Sequence, residues 1–108
     1  MLLLLACAAP EALTLAASTD PDPAQTGVVL VQLEADWASG EAVTEGLTVV
    51  AWMPAHGHGA TAEPRLSNLG DGAWEVTVEF AMAGLWELQV QADTDDRYGE
   101  GAVDVEVE

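Results

Sequence analysis

Lysine is missing from this chain of 108 residues, and arginine occurs only twice, at Arg65 and Arg97, against 19 acidic residues. The resulting formal charge of −17 repels phosphate backbones and anionic head groups, so nucleic acid is excluded as a partner. The same field draws cations without choosing among them, and a solvated, solubilising surface accounts for most of it. There is one cysteine, Cys7, so no disulfide can form within the chain. No apolar run approaches the ~20 residues needed to span a bilayer as a helix. No segment carries a helical period, and the straight-chain cationic helix formers are nearly absent.

What is present favours strands. Half of the residues are hydrophobic, too many for disorder over most of the length, and Val, Thr, Trp and Gly are plentiful. A chain of this size buries one core, which predicts a single domain.

The chain opens Met1-Leu2-Leu3-Leu4-Leu5-Ala6-Cys7, which reads as the end of a secretory apolar segment. Leu4-Leu5-Ala6-Cys7 has the pattern of a bacterial lipobox, with Cys7 as the lipidated residue. The expectation is an exported protein, periplasmic or on the cell surface, that meets the membrane only through its N-terminal lipid. Residues 1–7 are then the remnant of the signal, 8–25 a tether or first short strand, and 26–108 the domain proper. The boundary falls at Ser18-Thr19-Asp20-Pro21-Asp22-Pro23, where turn formers and two prolines break the pattern.

Beyond that point the period is two. Trp74, Val76, Val78 and Phe80 alternate with Glu75, Thr77 and Glu79; Trp86, Leu88 and Val90 alternate with Glu87 and Gln89; Val103, Val105 and Val107 alternate with Asp104 and Glu106. Each set gives one buried and one wet face, as in antiparallel strands. Val28–Ala35 and Leu47–Trp52 are apolar on both sides and read as central strands covered on two faces. With Glu11–Ala17 and a piece around Arg65–Leu69, about seven strands are predicted. They are separated by turn signals such as Gly70-Asp71-Gly72 and Ala83-Gly84. The fold expected is all-β: an immunoglobulin-like, two-sheet antiparallel β-sandwich.

Both histidines fall in one short stretch, Trp52-Met53-Pro54-Ala55-His56-Gly57-His58-Gly59. Pro54, which lacks a backbone N–H, ends the strand before it, and Ala55–Gly59 reads as a loop at one end of the sandwich. Counting in twos from Trp74 through Phe80 puts Met82 on the buried face, where its strand turns. If the two turns share an end, Met53, His56, His58 and Met82 converge. Neutral thioether sulfur favours Cu(I), and imidazole accepts Cu(I), Cu(II) and Zn(II). Methionine also needs no deprotonation to bind. Trp52 or Trp86 would wall the site off from water. The opposing reading takes the methionines as gap fillers at strand ends and the histidines as solvated loop residues.

The ordered run Met53-Pro54-Ala55-His56-Gly57-His58-Gly59, then Pro64, Gly70-Asp71-Gly72 and Met82-Ala83-Gly84-Leu85-Trp86, resembles the YtkA-like domain family, related to the FixH-like domains. The resemblance covers roughly Gly27 to Val107. It implies an immunoglobulin-like sandwich, exported and often membrane-tethered, with a link to copper handling and respiratory oxidase assembly. The family's motif positions fall on Met53, Pro54, His56, His58, Gly59, Met82, Gly84 and Trp86. The chain lacks the transmembrane helix of FixH proteins.

The function expected is therefore a copper-binding module that buffers copper or delivers it to a metallochaperone or oxidase-assembly partner. The competing expectation is a metal-free structural or protein-interaction domain. No catalytic role is expected: the residues show no spacing suggestive of a Ser-His-Asp arrangement, and thioethers do not support an activated metal-bound water.

Overall fold

The computed structural model describes residues 10–60 and 62–108; Cys7 and its lipobox lie outside them. Nine strands and no helix are found among the described residues: β1 Glu11–Ala12, β2 Thr14–Asp20, β3 Gly27–Asp36, β4 Leu47–Met53, β5 His58–Gly59, β6 Arg65–Gly70, β7 Ala73–Phe80, β8 Gly84–Asp93 and β9 Tyr98–Val107. They form two sheets, ordered β1-β9-β8-β4-β5 and β2-β3-β7-β6. Every pairing is antiparallel except that of β1 with β9. The predicted all-β sandwich is what the chain forms.

The alternating sets behave as their period requires. Trp74, Val76, Val78 and Phe80 point inward from β7, and Trp86, Leu88, Val90 and Ala92 from β8. Beside them on the same inner faces lie Val29, Val31 and Leu33 of β3, next to β7, and Val49, Ala51 and Met53 of β4, next to β8. The Gly70-Asp71-Gly72 turn closes the β6–β7 hairpin with both Asp71 (φ 55°) and Gly72 (φ 85°) in the left-handed region, the backbone that matches strand twist in a two-residue hairpin.

One expectation needs correcting. β3 and β4 were predicted to be covered on both faces, yet Val28 is 62 % exposed and Val50 51 %. Nothing described packs outside either sheet, so each strand has only one covered face. The outward valines reflect the preference of β-branched residues for pleated backbone, not a second layer.

The N-terminal segment is part of the sandwich. β1 lies parallel on β9, Leu13 donates its N–H to the Glu100 carbonyl at 3.0 Å, and β2 crosses to the other sheet to pair with β3 over seven residues. Gly99 and Gly101 make the crossing possible. A Cβ on Gly99 would sit 2.8 Å from Leu13 Cδ2, and one on Gly101 3.0 Å from Leu15 Cδ1. The two leucines therefore occupy the room that the missing side chains leave.

Arg97 fastens this edge. Its Nε and Nη2 donate to the two carboxylate oxygens of Glu11 at 2.9 and 2.7 Å, and Nη1 donates to Glu41 at 2.9 Å. The guanidinium lies 4.3 Å over the ring of Trp37. Paired this way, Arg97 holds the Glu11 carboxyl below the usual carboxylate range, the hydrogen bond being the main cause. A carboxyl lowered by folding contributes stability above its unfolded pKa of about 4.3 and loses it as pH falls through the folded value. The variant Arg97→Gln should therefore melt below the wild type at pH 7, with the gap narrowing as pH drops below 4. Melting curves at pH 7 and pH 3 check this, and a gap of constant size would mean that stacking on Trp37, not the ion pair, is what the variant loses.

Candidate metal centre

β4 runs one residue further than predicted, through Met53, and the expected loop after it is a tight hairpin. Both His56 and Gly57 donate backbone N–H groups to the Met53 carbonyl, at 3.2 and 2.9 Å. Gly57 takes φ 65°, a conformation that costs glycine nothing. The chain then returns as β5, with His58 opposite Met53 and Gly59 opposite Trp52. Directly opposed residues of an antiparallel pair share a face, so the His58 side chain lies on the inner side of the sheet.

There it meets the second turn. The His58 ring stands edge-on to Trp86, with centroids 5.9 Å apart. The Trp86 indole N–H donates to the Met82 carbonyl at 3.0 Å. A Cβ on Gly84 would come within 2.6 Å of Met53 Cε, so this glycine (φ 132°) makes space for the thioether methyl. The β4–β5 and β7–β8 turns thus share one pole. Trp86, wholly buried and 5.2 Å from Phe80, forms the floor beneath them. Trp52 is not part of this wall: it lies on the outer face of β4, its ring 3.8 Å from a Cβ built on Gly59.

Met82 departs from its predicted placement on the buried face. It is 36 % exposed, because β7 ends at Phe80 and the link 81–83 leaves the ladder, so the alternation no longer applies. Its carbonyl is tied down by Trp86, while the residue as a whole stays exposed. Met53 is the reverse, 1 % exposed and packed in the core. Pro54, Ala55, His56 and His58 are all exposed.

The imidazole geometry can be tested against a metal ion. With metal–nitrogen bonds near 2.0–2.1 Å, each ring centre lies about 3.2 Å from the ion, so two rings on one ion are about 5–6.5 Å apart. The His56 and His58 centroids are 5.8 Å apart. His58 Nδ1 lies 3.1 Å from the Gly59 carbonyl. In the tautomer that donates this hydrogen bond, Nε2 keeps its lone pair for a ligand, and a carbonyl on the second nitrogen is a common support for ligating histidines.

Among the described residues no group of three or more His, Cys, Asp and Glu side chains is placed to hold an ion. The two histidines alone therefore do not complete a site of such side chains. From Gly46 to Ala62 the chain carries no acidic or basic residue besides the two histidines, so hard cations that want carboxylate oxygens find little at this hairpin. The side chains at this pole that could act as donors are imidazoles and thioethers.

Sequence reasoning missed the His58 contact with Trp86 and the Arg97 clamp. An arginine, one of only two cationic side chains in so acidic a chain, was a usable signal for the second; nothing local signalled the first.

Among solved structures the chain is similar to the Lin-41 filamin domain, with 15 % identity, 93 % of this chain and 95 % of that one covered, and a TM-score of 0.56. That likeness is one of fold, an immunoglobulin-like sandwich. No curated protein matches the sequence. The description YtkA-like belongs to a family model that matches residues 8–91, most of the chain, and on that match the protein is a member of the YtkA-like family.

Proposed function

We propose that this domain binds copper at the pole formed by the β4–β5 and β7–β8 turns, and that it buffers the ion or passes it to another protein. One observation carries the reading: His56 and His58 have the ring spacing of two imidazoles on a single ion, beside a turn that presents Met82. Imidazole with thioether suits Cu(I) above harder ions, and a thioether, unlike a thiol, binds without releasing a proton.

The same reading places the protein outside the cytoplasm, held to a membrane by a lipid on Cys7, with a metallochaperone or an oxidase-assembly protein as recipient. It assigns the domain no catalytic step. Copper is cargo here, and the residues' task is to hold it in a soft, partly dry setting above Trp86.

The test is competition for Cu(I) against a chromogenic chelator under reducing conditions. Wild-type protein should withdraw one equivalent from the chelator. The double variant His56→Ala/His58→Ala should lose at least about 100-fold in affinity, roughly 2.7 kcal/mol by the affinity relation. Equal competition by wild type and variant ends the proposal.

A specific observation favours a second reading, in which the pole is structural. Met53 fills the core and its methyl sits against Gly84, as a packing residue should. Thermal unfolding separates the two, since a ligand that binds only the native state raises the melting temperature. No shift with Cu(I) supports the structural domain.

A further inference from the structure

We infer that copper is held at the surface by three donors, His56, His58 and Met82, with Met53 as buried wall, and that a fourth coordination position faces outward for a donor of a second protein. The inference rests on the copper reading above and divides its four candidate residues.

Burial makes the division. The Met53 side chain is 1 % exposed, with its terminal methyl in the space that Gly84 leaves. Thioether sulfur is bonded directly to that methyl, so it cannot move to a surface ion without withdrawing the side chain from the core and opening a void, which close-packed interiors resist. Met82 carries no such constraint. Its carbonyl is fixed by the Trp86 indole at 3.0 Å, while its side chain belongs to a residue 36 % exposed. The histidines are exposed on the neighbouring hairpin, and His58 rests against the same indole that fixes Met82. Trp86 therefore positions one nitrogen donor and one sulfur donor without being a ligand.

Two imidazoles and one thioether leave Cu(I) able to accept one more soft ligand. Pro54 and Ala55, which border the histidines, are themselves exposed and too small or rigid to shield the ion. An incoming thiolate, thioether or imidazole from another protein can bind before any of the three donors leaves, which lets the ion pass across without becoming free in solution.

The fold also sets the direction of approach. β1 enters at Gly99, the start of β9, and Gly84 at the copper pole pairs with Val107 at the end of β9. From Gly99 to Val107 the strand advances eight residues, about 26 Å at some 3.3 Å per residue. The site points away from the place where the N-terminal segment joins the domain, and is open to a partner arriving from that side.

The experiment compares Met53→Leu with Met82→Leu in the full chain, using Cu(I) alone and a bidentate chromogenic chelator as probe. Leucine conserves volume in the core, and melting curves verify that both variants fold. Met82→Leu should weaken Cu(I) binding at least about tenfold, while Met53→Leu stays within about threefold of wild type. Release to the chelator should be faster in proportion to chelator concentration, as an open position allows. Wild type that binds Cu(I), together with a Met53→Leu loss as large as that of Met82→Leu, overturns the division but leaves the copper function standing. A release rate that does not depend on chelator concentration overturns the open position. Wild type that binds no Cu(I) overturns both.

Discussion

Replacing Trp86 with alanine is expected to cost about 3–5 kcal/mol of stability, the range for deleting a large buried aromatic ring. For a domain of about 100 residues that lowers the melting temperature by roughly 15–30 °C. Trp86 has no exposed surface, contacts Phe80, and donates its indole N–H to Met82, so alanine opens a cavity and frees a turn together. Trp86→Phe separates these effects. It keeps most of the apolar surface but leaves the Met82 carbonyl without its donor, at a cost of about 1 kcal/mol. Copper affinity should then fall in Trp86→Phe, although the protein remains folded at room temperature. Calorimetry on both variants decides the first part; an alanine variant that melts within a few degrees of wild type would show that the pole is not organised around this ring.

Gly46→Ala should be nearly as damaging, at about 2–4 kcal/mol, although the change adds one methyl group. Gly46 has φ 74°, and a Cβ there would lie 2.1 Å from the Asp93 carbonyl oxygen and 3.0 Å from its carbon. Those are backbone atoms, which cannot rotate aside. Asp93 in turn donates its N–H to the Gly46 carbonyl at 3.0 Å, just beyond the pairing of Leu47 with Ala92. The methyl therefore forces apart the point where β4 first joins β8. Gly40→Ala supplies the comparison: φ is 97° but nothing lies within 4 Å, so only the backbone preference, about 1 kcal/mol, is lost. Urea denaturation of the pair measures the difference. Equal losses would mean that the left-handed conformation, not the contact with Asp93, governs position 46.

Much of the strand order was legible because half-buried antiparallel strands write their two faces into alternate residues. Trp74–Phe80 and Trp86–Val90 were read with correct facing, whereas the shared pole of the two turns stood in the sequence only as a condition that the structure meets. Met82 shows where such reading stops, since alternation holds only while the ladder continues and β7 ends two residues earlier. Val28 and Val50 mislead for another reason: a β-branched residue suits a strand whether its face is covered or wet. The supports of the candidate site, Trp86 under His58 and the Gly59 carbonyl on its ring nitrogen, depend on which residues become opposed when Met53 meets His58. That register is a tertiary fact. The chain's own glycines were more informative than they looked, for Gly84 marks room for Met53 in the same way that Gly99 and Gly101 mark room for the leucines.

Those last two glycines bear on where the folded unit begins. The leucines that fill them come from residues ahead of the two prolines, and β2 is all that flanks β3 on its outer side. Cutting the gene after Pro23 would not trim a leash; it would strip a hem. The remainder would carry two empty notches and a ten-residue strand with a bare edge, open to the first extended peptide that matched it.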